Sequence, residues 1–294
     1  TLLAEEVKSG RLTFTTDFSL VADADMHFVC VGTPQSKNGL AADLTYVRSS
    51  VAAITPYLKP GSLVVGMTLQ FKPQMYLDEA GKPAGYDVEL VKRLAKALRL
   101  KLEIKNMDFA GLIPGLVSKQ FDLVSVGLTK NPDREKSIQF VREYMPYTTV
   151  LAARTGDSTG ATKALWNVAG KKVTALQGAA ASRIVKADFP NTTLVEFPQQ
   201  NDAFLEVVSK RADAIVVEEN LLNQYNKTNP GQLAKVKLPA PLSQAFGQWT
   251  VQLGNNALDA KLTRWLCTNQ EGGYLASVFK KTMGYNLPAL PECE

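Results

Sequence analysis

Two charged residues stand where apolar runs give way to polar chain. Arg134 lies five residues beyond Thr129, the end of the run Leu123-Val124-Ser125-Val126-Gly127-Leu128-Thr129, and Glu218 closes Ala214-Ile215-Val216-Val217. A guanidinium is a planar donor fork suited to a carboxylate, and a carboxylate accepts from an ammonium. By residue type alone both have plainer readings: Arg134 as the partner of Asp133 on an exposed helix, and Glu218 as a surface capping residue beside Glu219. Other chemistry is thinly represented. The single histidine is His27, and the three cysteines, Cys30, Cys267 and Cys293, form no CxxC pair, so no structural metal site is expected. Cys30, inside the apolar run Phe28-Val29-Cys30-Val31, reads as a small core residue rather than a nucleophile, and His27 at the entrance of that run gets the same plain reading. Cys267 and Cys293 both fall in the last 28 residues. Their spacing leaves open whether a local disulfide tethers the tail in an oxidising compartment.

The elements that must position these residues are α/β in character. A chain of 294 residues, 45% hydrophobic and 21% charged, is long enough for two compact units, and it has no apolar run of the roughly 18 residues that cross a bilayer. Its 33 basic and 28 acidic side chains are scattered, with no basic run of the kind that tracks phosphates, so nucleic acid is not an expected partner. The chain changes character near residue 60: the first 60 residues carry a net charge of −1 and the remainder +6. In the first part, Phe28 to Val31 predicts a strand ended by Gly32-Thr33-Pro34. A helix follows, with Asp43 as cap, Tyr46, Val47, Val51 and Ile54 as its apolar stripe and Lys59-Pro60-Gly61 as its stop. Leu63-Val64-Val65 is the next strand. Beyond it, Val88, Val91, Leu94, Ala95 and Leu98 recur at helical spacing with Asp87 at the start as a potential cap. Leu102-Glu103-Ile104 and Asp122 to Val126 predict strands, with a helix around Ile113 to Ser118 between them.

The stretch GRLTFTTDFSLVADADMHFVCVGTPQSKNGLAADLTYV resembles part of the nucleotide-binding domain of UDP-glucose and GDP-mannose dehydrogenases over residues 10 to 65. It lacks the GxGxxG turn that would hold a dinucleotide pyrophosphate, and the family's nucleophile region is absent, so an NAD-dependent activity is not expected. The pieces GKPAGYDVELVKRLAKAL, NMDFAGLIPGL, FDLVSVGLTKNPDREKSIQF, GKKVTALQGAAASRIVKADFP and KRADAIVVEENLL resemble the periplasmic solute-binding proteins of amino-acid ABC transporters, from about residue 63 to 283. The resemblance implies a two-lobed, type II periplasmic-binding-protein-like fold, preceded by a partial Rossmann-like βαβ extension over 1–62. Lobe 1 would comprise 63–146 plus 241–294, and lobe 2 would comprise 147–240. It also implies a non-catalytic receptor, outside the cytoplasm and without a cofactor, that closes by a hinge on an amino acid and presents it to a membrane permease.

The ligand set implied by that resemblance is Arg134 for the carboxylate, Glu218 for the α-ammonium, Gly127 and Thr129 as neighbouring backbone donors, and Phe71 and Phe109 as covering rings. Gly178 and Ala180 would supply backbone N–H groups from the second lobe. Thr68 stands where many receptors of cationic ligands have an aspartate, so a neutral polar or moderately apolar side chain is expected. Gln74 and Met75 depart from the family's aromatic and acidic residues, and Ala180 replaces a hydroxyl. The alternative class is an enzyme of the dehydratase or lyase type on the same scaffold, with Glu218 as general acid. The exposed edge of an N-terminal strand makes self-association through residues 1–62 an open expectation.

Overall fold

The computed structural model describes residues 2–10, 14–15, 17, 30–31, 45–54, 61–159 and 162–293. The chain divides into two compact units, 1–61 and 62–294. In the first, the described residues form α1 (Leu2–Lys8) and α2 (Thr45–Ile54). The predicted helix is therefore present, but Tyr46 and Val51 of its apolar stripe are 59% and 43% exposed. His27, Phe28, Val29 and the cap Asp43 lie outside the described residues. Cys30 and Val31 correct the sequence reading: neither is in a strand and both are exposed, so Cys30 is not a core residue.

The second unit begins with β1 (Ser62–Met67), followed by a small sheet of β2 (Gln70–Phe71), β3 (Met75–Leu77) and β4 (Pro83–Ala84). Then come α3 (Tyr86–Leu98), β5 (Lys101–Asn106), α4 (Leu112–Val117), β6 (Leu123–Thr129), α5 (Pro132–Glu135) and β7 (Ile138–Arg154). The chain continues through α6 (Lys163–Trp166), β8 (Lys172–Leu176), α7 (Ala180–Asp188), β9 (Thr193–Phe197), α8 (Gln200–Val208), β10 (Ala214–Glu218) and α9 (Glu219–Thr228). It closes with β11 (Leu233–Lys235), β12 (Ser243–Gln252), α10 (Asn256–Glu271) and α11 (Tyr274–Met283).

Strand order in the large sheet is β5-β1-β6-β12-β7-β10-β8-β9, with β11 beside β7. The parallel ladders β5-β1-β6 and β10-β8-β9 are joined by the antiparallel pair β7 and β12. β7 bonds β12 along much of its length and also carries β10 and β11 on its C-terminal part. Parallel strands demand helical crossovers, which is why helices alternate with strands on both sides of this pair. Both edges of β1 are taken, by β5 and β6. Leu63-Val64-Val65 therefore belongs to this sheet, between β5 and β6.

Asp87 also departs from its expected role. The helix begins two residues earlier than a cap at Asp87 would place it, with Gly85 at the N-cap (φ 113°), where an added Cβ would collide with the Pro73 and Gln74 carbonyls. Those carbonyls accept the first-turn N–H groups of Tyr86 (3.4 Å) and Asp87 (3.0 Å). The helix start is thus capped from the β2–β3 connection, and the Asp87 side chain, free of capping duty, is fully buried. Cys267 and Cys293 are joined in a disulfide with Cα atoms 5.7 Å apart. It anchors the C-terminal segment, whose Pro291 carbonyl also accepts from Gln270 Nε2 at 2.8 Å.

Candidate functional site

Arg134 is placed by two local devices. Asn131 caps α5, its Oδ1 accepting the backbone N–H groups of Asp133 and Arg134, both at 3.1 Å. Upstream, β6 bulges: Gln248 faces Leu128 while Thr250 faces Val124, so β6 carries two extra residues against β12. Gly127 lies in that bulge at φ +64°, a conformation that costs glycine little. Arg134 is 8% exposed; its Nη1 donates to the Thr129 carbonyl at 2.8 Å, and Nη2 donates to the Gly178 carbonyl at 2.9 Å. Asp133 is occupied elsewhere, with Lys136 at 2.8 Å. Burial, followed by the nearby Arg183 charge, pushes the Arg134 pKa down to about 10, against the opposing pull of Glu218. It is cationic at neutral pH.

Glu218 ends β10 and precedes α9, partly buried. Burial raises its pKa; its own backbone N–H and Arg134 partly offset that rise. Glu219, its neighbour, turns away to Lys235 at 2.5 Å.

Both charges line one cavity of about 30 Å³, with Phe71, Gln74, Phe109, Gly127, Thr129, Tyr147, Ala180 and apolar neighbours. That volume has room for about two water molecules, so the cleft is shut. Bonds across its mouth keep it so: Gln70 Oε1 accepts from the Gln200 N–H at 2.7 Å, and Gln199 Nε2 donates to Asp108 Oδ1 at 2.7 Å. Phe71 and Phe109 are tilted neighbours, ring centroids 6.2 Å apart, and Arg134 lies 6.0 Å from the Phe109 centroid. Ala180, which lines the cavity, is the first residue of α7, whose first-turn N–H groups have no intrahelical acceptor.

Seven of the nine residues expected from the sequence therefore share the cavity: Phe71, Phe109, Gly127, Thr129, Arg134, Ala180 and Glu218. Two do not line it. Thr68 is buried away from it, its hydroxyl accepting from Gln70 Nε2 at 2.9 Å. Gly178 meets Arg134 through its carbonyl, an acceptor, instead of offering an N–H. Sequence reasoning did not single out Tyr147, whose hydroxyl lies 2.9 Å from Gln74 Oε1.

The family of bacterial extracellular solute-binding proteins, family 3, matches residues 63–284. The chain belongs to that family. It is a solute receptor of the amino-acid ABC-transporter type that works outside the cytoplasm, and its role is binding rather than catalysis. The arginine-binding extracellular protein ArtP of Bacillus subtilis is 27% identical over 82% of this chain and 94% of its own length. An ancestral arginine-binding protein bound to glutamine superposes with a TM-score of 0.71 and 30% identity, covering 77% of this chain and all of its own. An ancestral amino-acid-binding protein, AncCDT-1, a precursor of cyclohexadienyl dehydratase, gives a TM-score of 0.70 and 26% identity, covering 80% and 99%. Residues 1–69 match the NAD-binding domain of the UDP-glucose/GDP-mannose dehydrogenase family. Among the described residues no group of metal-ligating side chains occurs, and no helix is long and apolar enough to cross a membrane.

Proposed function

We propose that this receptor binds one free amino acid with a neutral polar or moderately apolar side chain. Lobe 1 (63–146 with 241–294) and lobe 2 (147–240) close over it, and the closed form is presented to a permease. The observation that carries this reading is the approach of Arg134 and Glu218 to a single cavity from opposite sides of the β7/β12 pair. Once water is excluded, a carboxylate and an ammonium each need a charged partner, because an unpaired buried charge is costly. Arg134 has five donors, and only part of that capacity is used by the Thr129 and Gly178 carbonyls. The α7 start at Ala180 adds further donors, and Glu218 is the acceptor.

Among the residues lining the cavity Glu218 is the one acid, and its assignment to the α-ammonium leaves none for a second cation, which argues against a dedicated receptor for cationic side chains. Ligand entry requires the cleft to open, since its present volume is below that of any amino acid. Preference for the closed state then drives closure. Thermal-shift screening of the full chain against the proteinogenic amino acids tests the reading, because a ligand of the folded state raises the melting temperature. A hit abolished in Arg134→Ala supports it. Turnover of a small carboxylic acid that disappears in Glu218→Gln overturns it in favour of a dehydratase-like enzyme.

A further inference from the structure

We propose that Tyr147, held by Gln74 and Asp87, is the residue that sets side-chain selectivity, presenting to the ligand a hydrogen-bond acceptor that favours donor-bearing side chains over isosteric carboxylates. The proposal rests on the amino-acid-receptor reading. It follows from the direction of one chain of hydrogen bonds. The Gln74 amide is buried, and its Nε2 donates to Asp87 Oδ2 at 2.8 Å. Ionised, as it is at the pH 8 of the test below, that carboxyl only accepts, so the amide has one sensible orientation and its Oε1 faces the other way. There it meets the Tyr147 hydroxyl at 2.9 Å, while the Val126 carbonyl lies 3.2 Å from the same hydroxyl.

Both protein neighbours of Tyr147 Oη are therefore acceptors, and a phenol has one proton to give. That proton is committed to the protein. What remains for the cavity is the oxygen's lone pairs, which can only accept. Burial, and then the Asp87 charge, raise the Tyr147 pKa, with Glu218 adding to the effect, so the phenol keeps its proton. The ring is held in a slot made for it. A Cβ at Gly127 would collide with the Tyr147 hydroxyl, and one at Gly247 would meet its Cε2 at 2.7 Å. Gln74, Tyr147 and Glu218 together make one wall of acceptors, and Arg134 with the α7 start makes a wall of donors. A ligand lying between them with its carboxylate on Arg134 presents the rest of its polar groups to acceptors. A side-chain amide or hydroxyl satisfies Tyr147; a side-chain carboxylate would face lone pairs and leave both groups unpaired, the situation from which sites of this kind draw their strongest discrimination.

The test is calorimetric titration of the full chain at pH 8 with glutamine and glutamate, asparagine and aspartate, and alanine, in the parent protein, Tyr147→Phe and Arg134→Ala. Tyr147→Phe keeps the ring and the Gln74–Asp87 bond, and its melting temperature is measured alongside as a control for folding. The expected result is that the parent prefers each amide to its acid by about a hundredfold or more, and that Tyr147→Phe cuts this preference by about tenfold while alanine affinity stays within about twofold. An equal loss for every ligand, alanine included, would overturn the proposal, because Tyr147 would then serve the α-ammonium common to all. No amide preference in the parent would overturn it too. Either result, with affinity still lost in Arg134→Ala, leaves the receptor reading standing; binding unaffected by Arg134→Ala sinks that reading instead.

Discussion

Asp87 gives the most quantitative prediction. Its carboxyl is fully buried; burial lifts its pKa from 3.8 to about 7, and the Tyr144 hydroxyl, the Gln74 amide and the Ser125 hydroxyl pull it back only part of the way. The pull is incomplete because Oδ1 has no well-formed hydrogen bond, and the nearby Tyr144 Oη likewise lacks one. A carboxyl whose pKa is higher in the folded state binds more protons there than in the unfolded chain. Its contribution to stability is thus full below the unfolded value, near pH 4, and is lost as pH rises through the folded value near 7. A difference of about three units at 1.36 kcal/mol each amounts to roughly 4 kcal/mol lost between about pH 4 and pH 7. Denaturant unfolding of the parent and Asp87→Asn from pH 4 to pH 8.5 isolates this group, since other titrations cancel in the difference. The parent should lose about 4 kcal/mol relative to the variant over that range and then level off. A stability difference that does not change with pH would refute the reasoning, as would one that grows in the parent's favour as pH rises.

Three other outcomes follow from the same geometry. Glu218 must be ionised to receive an ammonium, and burial raises its pKa; ligand affinity should fall on acidification with a midpoint above the ordinary glutamate range, and calorimetry across pH should show this dependence flattened in Glu218→Gln. The Cys267–Cys293 disulfide closes a 26-residue separation, for which chain entropy gives about 3.5 kcal/mol. Cys267→Ser with Cys293→Ser should therefore lower the melting temperature by roughly 7–14 °C in calorimetry, with ligand affinity unchanged. Gly127→Ala places a methyl group against the Tyr147 hydroxyl at a φ of +64°; it should both destabilise the fold, by roughly 1–3 kcal/mol in denaturant unfolding, and weaken ligand binding.

Periodicity carried the sequence reading a long way where elements are regular. The apolar spacing of Val88 to Leu98 became α3, and the runs at Leu102, Leu123 and Ala214 became strands of one sheet. Arg134 and Glu218 were legible as a pair only through family resemblance, because 84 residues separate them and only the β6–α5 turn and the end of β10 bring them to one cavity. Asp87 was misread because an acid at a helix start ordinarily caps it. Here the Pro73 and Gln74 carbonyls, approaching closely over Gly85, take that role and leave the carboxyl to the interior. Tyr147 gave no signal at all. It lies within a continuous β run, and what makes it a wall of the site is non-local: the space left by Gly127 and Gly247 and the amide of Gln74. Cys30 was misread because apolar neighbours in sequence suggest a core strand, whereas Cys30 and Val31 are exposed and outside any strand.

In the proposed receptor, Arg134 holds the carboxylate of a single amino acid opposite Glu218. Two charge-assisted bonds at roughly 1.5–3 kcal/mol each are worth about 10²–10⁴ in affinity. Calorimetric titration of the parent and Arg134→Ala with the best amino-acid ligand, and of the parent with that ligand's decarboxylated amine, measures this directly. The expected result is one site per chain and a loss in that range for both the variant and the amine. An Arg134→Ala protein that binds the amino acid as tightly as the parent would contradict it.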